Sequence, residues 1–157
     1  MTDIIVDANI FLNVLKRETD FRTGKPLWKP SSTLLTYVSD GILRGNICFV
    51  TVLEIVHAVR VNACKSGSDE TVAMRLALKA ISDFGFKQII PEPFILQNSL
   101  SFMFDLRIDP YDAVLLATAL GTDMDAIISR DEKFTAKASK LIPVLSPEEL
   151  LEKISFK

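Results

Sequence analysis

The run Ile4-Ile5-Val6-Asp7-Ala8-Asn9-Ile10-Phe11-Leu12 sets the pattern for the whole chain. Three consecutive β-branched residues favour an extended strand over residues 4–6. An acid stops that strand. Phe11, Leu12 and Leu15 then recur at helical spacing, which predicts a helix over residues 8–16. A strand this short, apolar on both faces and followed at once by a helix, belongs in a parallel sheet covered on both sides.

The alternation continues outward. Further strands are expected over residues 47–50, 88–90, 126–129 and 143–145. Helices are expected over residues 32–44, closed by Gly45 and Asn46, and over 51–65. Others should run from a Ser68 cap to about Phe84, over 94–106, and from Asp109-Pro110 to Gly121. Ser146-Pro147-Glu148-Glu149 is a capped start for a last helix. Residues 18–31, with Gly24, Pro26 and Pro30, read as one long loop. The fold class is therefore α/β, a three-layer sandwich with a short parallel sheet, and residues 1–157 are expected to form one domain.

Composition narrows the function less. The 157 residues carry 18 Lys+Arg against 20 Asp+Glu, so net charge gives no sign of a nucleic-acid binder. A mean hydropathy of +0.27 points to apolar surface hidden in a dimer or partner interface. Cys48 and Cys64 form no disulfide framework. With no leader or membrane-length apolar run in the sequence, a cytoplasmic location without membrane attachment is expected.

The chemistry lies in four acids. Asp7 and Asp131 follow strands, Glu54 is expected in the first turn after the strand 47–50, and Asp112 lies at a helix start. Each has a plain structural explanation: Asp7 and Asp109 as caps, Thr51/Glu54 as a capping box, Asp112 beside a helix dipole, Asp131 in a turn. Context favours function. Glu54 and Asp112 stand beside nearly charge-free segments that read as helices buried all round. Carboxylates gathered there repel by up to roughly 4 kcal/mol per pair at 4 Å and an effective dielectric of 20, and a hard divalent cation relieves this.

The segment around Asp7 resembles the opening motif of PIN-domain ribonucleases. Thr51-Val52-Leu53-Glu54-Ile55 is similar to their second acid motif, and Asp109-Pro110-Tyr111-Asp112-Ala113 to the third. Ser129-Arg130-Asp131-Glu132-Lys133-Phe134 is similar to the fourth, with serine in place of the commoner threonine. The ordered set resembles the VapC-type toxins most. That resemblance implies a PIN-like fold, an endoribonuclease using Mg²⁺ or Mn²⁺ held by Asp7, Glu54, Asp112 and Asp131, an antitoxin partner and a homodimer. Asn9 and Ser129 are candidates to orient these acids or a water. Arg130 is read as a surface arginine or a phosphate contact, and Lys25, Trp28 and Lys29 as a pinned solvated loop or an RNA guide. His57, the sole histidine, is expected to be buried or partly buried and structural. A housekeeping RNA-processing PIN nuclease, a receiver-type signalling domain and a non-catalytic RNA-binding module are the competing readings.

Overall fold

In a computed structural model, residues 2–155 are described. Five parallel strands are ordered β3-β2-β1-β4-β5. They are β1 (Asp3–Val6), β2 (Arg44–Cys48), β3 (Lys87–Ile89), β4 (Ala126–Ile128) and β5 (Val144–Leu145). The helices are α1 (Ala8–Lys16), α2 (Trp28–Ser39), α3 (Phe49–Ser66), α4 (Glu70–Asp83), α5 (Pro93–Leu106), α6 (Pro110–Gly121), α7 (Glu132–Ala138) and α8 (Pro147–Ser155). This is the three-layer α/β arrangement expected of a PIN-like fold. The order is not the 2-1-3-4-5 of receiver-like sheets, so the receiver alternative falls.

Side chains alternate across a strand, and that alternation divides the core. Ile4, Val6, Ala126 and Ile128 face a cluster with Ile10, Leu34, Leu35 and Ile55. Ile5 and Ile127 face the opposite cluster, with Leu116, Phe134 and Ala138. Helices α1, α2, α3 and α8 cover the first face, while α6 and α7 cover the second. Helix α6 is buried nearly all round, from Ala113 through Leu115–Ala119.

Several boundaries differ from the sequence reading. Helix α2 begins at Trp28, not at residue 32, because Pro30 lies in its first turn, where a missing N–H leaves no helical bond unmade. The chain turns at Gly41 (φ 72°), and Gly45 and Asn46 belong to β2 instead of closing a helix. Strand β2 ends at Cys48, so α3 starts two residues early and Glu54 lies in its second turn. Thr51 is then inside the helix, and the Thr51/Glu54 capping box does not form. Asp69, not Ser68, caps α4, accepting the Val72 N–H at 2.9 Å. Helix α3 is not buried all round: Leu53 is 50% exposed, and His57 is exposed, correcting the expected buried histidine. His57 lies two residues beyond the fully buried Ile55, on roughly the opposite side of the helix.

Gly45 is needed where β2 passes under α2. A Cβ there would lie 2.5 Å from Val38 Cγ1 and 2.7 Å from Phe86 Cε1, neither of which can swing clear easily. Gly45→Ala should destabilise the fold by about 1–3 kcal/mol in urea unfolding; an unchanged midpoint would show that α2 moves freely over β2.

Candidate active site

The chain leaves β1 toward β2 and β3, then returns to place β4 on the other side of β1. The carboxyl ends of β1 and β4 thus flank the topological switch point, where open α/β sheets hold ligands. Asp7 follows β1, and Ser129 to Asp131 follow β4. Helix α6 runs back toward the start of β4, so its first turn, with Asp109 and Asp112, lies at the same edge.

Asp7 is only 7% exposed and is fixed from three sides. Its Oδ1 accepts the Ala8 N–H at 2.6 Å, capping α1. Its Oδ2 accepts from the Ser129 hydroxyl and from Asn9 Nδ2, both at 2.6 Å. Asn9 Nδ2 also reaches Ser129 Oγ at 3.1 Å, and Asn9 Oδ1 accepts the Arg130 N–H at 3.3 Å. Ser129 Oγ in turn accepts the Asp131 N–H at 3.1 Å. Asn9 and Ser129 therefore orient Asp7 and link it to the loop bearing Asp131. Asp131 caps α7 through Oδ1, accepting the Phe134 N–H at 2.9 Å. The cap readings of Asp7 and Asp109 hold, whereas Asp131, expected to open a turn, instead caps α7, a helix the sequence reading did not predict.

The acids sense one another. Burial pushes the Glu54 carboxyl up to about 7, with repulsion from Asp7 and Asp109 adding to it. Asp112 also rises to about 7, through burial first and then repulsion from Asp109, Asp7 and Asp131. Asp7 is raised by burial, against the donations from Ser129 and Ala8. Glu54 and Asp112 are half-buried, and among the described residues Glu54 accepts no hydrogen bond. The four predicted acids thus converge electrostatically at one edge of the sheet.

Asp109 is the member that sequence reading missed. Its Oδ1 accepts the N–H groups of Tyr111 and Asp112, the expected cap. It is also the largest source of repulsion on Asp112. The Asp-x-x-Asp spacing, two acids one helical turn apart, was the available signal. Among the described residues no three His, Cys, Asp or Glu side chains are drawn into a ready-made metal cage. The all-oxygen donor set and its raised carboxyls still fit a hard divalent cation, whose charge would offset the repulsion.

Arg130 is neither a free surface residue nor turned toward solvent, since its side chain is 14% exposed. Nη1 lies 3.0 and 2.8 Å from the two Glu148 oxygens at the start of α8. Nη2 donates to the Leu27 carbonyl at 3.0 Å and to Ser31 Oγ at 3.3 Å. Arg130 thus ties the Asp131 loop to α8 and to the entrance of α2. Lys25 and Lys29 are exposed. Trp28 is partly buried, with Arg17 and Lys29 each 5.7 Å from its ring centroid.

A PIN-domain family model matches residues 3–133, most of the chain, including Asp7, Glu54, Asp112 and Asp131. This chain belongs to the PIN-domain family. PIN domains are generally nucleases. No curated protein matches this PIN domain significantly. Among solved structures it is similar to PAE2754 from Pyrobaculum aerophilum, at 19% identity and a TM-score of 0.67, covering 99% of this chain and 91% of that one. It is also similar to a toxin–antitoxin complex from Klebsiella pneumoniae (20%, TM-score 0.58, covering 92% and 97%). A third is VapBC-1 from nontypeable Haemophilus influenzae (13%, TM-score 0.60, covering 92% and 98%). At these identities the likeness is one of fold. No helix of the PIN domain, among the described residues, is long and apolar enough to cross a membrane.

Two outcomes follow for this PIN domain. Glu54 and Asp112 have folded-state pKa values above their unfolded ones, so the unfolded chain ionises first as pH rises. Without divalent ions, the melting temperature should fall between about pH 4.5 and pH 7 and then level off, as far as these groups decide it. Asp112→Asn should flatten that fall, which calorimetry across pH will check. Separately, Arg130→Ala should cost about 1–3 kcal/mol and shift the emission of Trp28, the chain's one tryptophan. Unaltered emission would show that Arg130 does not hold the entrance of α2.

Proposed function

We propose that this PIN domain is a Mg²⁺- or Mn²⁺-dependent endoribonuclease and the toxin of a toxin–antitoxin pair. One observation supports the nuclease reading: at one edge of the sheet Asp7, Glu54, Asp112 and Asp131 lie within electrostatic reach of one another, and burial first, with that repulsion added, lifts Glu54 and Asp112 to about 7. A bound divalent cation would relieve that repulsion.

Asp7, Glu54, Asp112 and Asp131 would hold the metal. Bound there, the ion would supply positive charge to the scissile phosphate and lower the pKa of a water. The chain's own part is orientation and proton release. Ser129 and Asn9 hold Asp7 in one rotamer, and with the Ala8 N–H on Oδ1 this leaves accepting capacity on Oδ1. Asp131 is locked by its cap, and among the described residues its Oδ2 accepts nothing. Glu54 and Asp112, half-protonated near neutrality, must release protons as the cation enters. Metal affinity therefore increases with pH across that range.

The toxin reading is supported by the neighbours, two of which are a toxin–antitoxin complex and VapBC-1. It is supported too by apolar surface that a monomer has no use for. On α5, Phe104 is 80% exposed and Leu100 54%, and Ile90 just before that helix is 73% exposed. An antitoxin and a second copy of the chain are the partners proposed for such surface, in the cytoplasm. A housekeeping RNA-processing role is the second reading, and growth arrest on expression separates the two.

Labelled RNA incubated with Mn²⁺ should be cut internally, and EDTA should stop the reaction. Asp7→Asn and Asp112→Asn should each lower kcat by at least about a hundredfold while Asp112→Asn raises the metal-free melting temperature. Full cleavage by both variants would overturn the assignment.

A further inference from the structure

The segment between α1 and α2 is not the open loop that its composition suggests. Thr19 and Pro26 form an antiparallel bridge. The Asp20 N–H donates to the Lys25 carbonyl at 2.8 Å, and the Gly24 N–H donates to the Asp20 carbonyl at 2.7 Å. Asp20 Oδ1 accepts the N–H groups of Arg22 (2.7 Å) and Thr23 (3.1 Å). The base of this turn is tied down through the Leu27 carbonyl, by Arg130. A short, internally bonded turn is thus clamped to the loop that carries Asp131.

The turn presents Phe21 and Arg22 outward. Phe21 is 89% exposed, the most exposed large apolar residue described, and it contributes nothing to the core. The Arg22 guanidinium lies 5.2 Å from its ring centroid. Both line a cleft of about 430 Å³ whose walls also include Leu27, Arg130 and Glu132. Arg130 and Glu132 are the two sequence neighbours of Asp131, so the cleft adjoins the loop that carries that carboxylate.

We propose that Phe21 and Arg22 form a platform for one unpaired nucleotide of an RNA strand whose scissile phosphate lies at the carboxylates. The base stacks on the Phe21 ring, and the Arg22 guanidinium takes the adjoining phosphate. This rests on the ribonuclease reading above and deepens it. A largely exposed ring with a cation over one face matches a nucleotide's flat base, stacked on the other face, and its charged phosphate. A protein interface of the kind proposed above has its apolar surface elsewhere, on α5. Stacking tolerates any base, so the platform gives affinity and selects unpaired strands more than sequence.

The experiment measures cleavage of a fluorescein-labelled, unstructured single-stranded RNA in Mn²⁺ by the full chain. Phe21→Ala should raise KM roughly tenfold and leave kcat within about twofold, because the ring binds substrate away from the reacting atoms. Phe21→Trp should restore KM, whereas Phe21→Leu, apolar but without a ring, should not. Arg22→Ala should raise KM and reduce the salt dependence of binding by about one counterion. The same substitutions made in the Asp112→Asn protein, with RNA binding followed by fluorescence anisotropy, separate the platform from the chemistry. Weaker binding on loss of the Phe21 ring supports the platform even if no variant cuts RNA. An unchanged KM and unchanged binding for Phe21→Ala overturn it. So does a Phe21→Ala defect confined to self-association or antitoxin binding, seen by light scattering, and so does failure of the unsubstituted chain to bind RNA.

Discussion

Mutual repulsion among carboxylates at the carboxyl edge of the sheet is the constraint around which this molecule is arranged. Asp7, Glu54, Asp109, Asp112 and Asp131 come from four separate segments and push on one another. Left in water they would separate. They are held because each sits on an element whose position the core dictates. Asp7 ends a strand with no solvent exposure from Ile4 to Val6, and Asp112 opens a helix buried nearly all round. The apolar core therefore supplies the free energy that keeps like charges together.

The hydrogen-bond network around Ser129 converts that enforced proximity into order. One hydroxyl donates to Asp7 and accepts from the Asp131 backbone, so two acids from strands distant in sequence share a single reference atom. Asn9 repeats the linkage through its own amide. Arg130 carries it outward, to α8 and to the entrance of α2. The turn at residues 19–26 thus has a defined relation to the carboxylates, although it lies in the least regular part of the chain. The expectation of a solvated loop was right about its exposure and not about its order, because Asp20 closes the turn locally.

Family membership and site geometry meet in this edge. The family match spans residues 3–133 and so ends just after Asp131. Helix α8, beyond it, still matters to the site, since Glu148 balances the charge of Arg130 beneath the Asp131 loop. Helix α3 shows how the same chain serves two ends. Val52 and Ile55 bury against the sheet, Glu54 is half-buried within reach of the Asp7 and Asp109 charges, and Leu53 and His57 remain outside.

The parallel sheet, its strands and every helix but α7 were legible in the chain alone, and so was the placing of Asp7, Glu54, Asp112 and Asp131 at the starts or ends of elements. Hydrophobic periodicity and isolated charges in apolar runs are local properties. Element ends were less legible, since Pro30 and Gly45 can each mark a break or a tolerated position, and only the neighbours decide which. This strand position is a glycine because Val38 and Phe86 leave no room for a side chain. The fifth acid, the burial of Arg130 and the exposure of His57 were decided by tertiary structure. Each depends on what a side chain meets across the fold, and a sequence lists residues by their order along the chain, whereas charge and burial act through space.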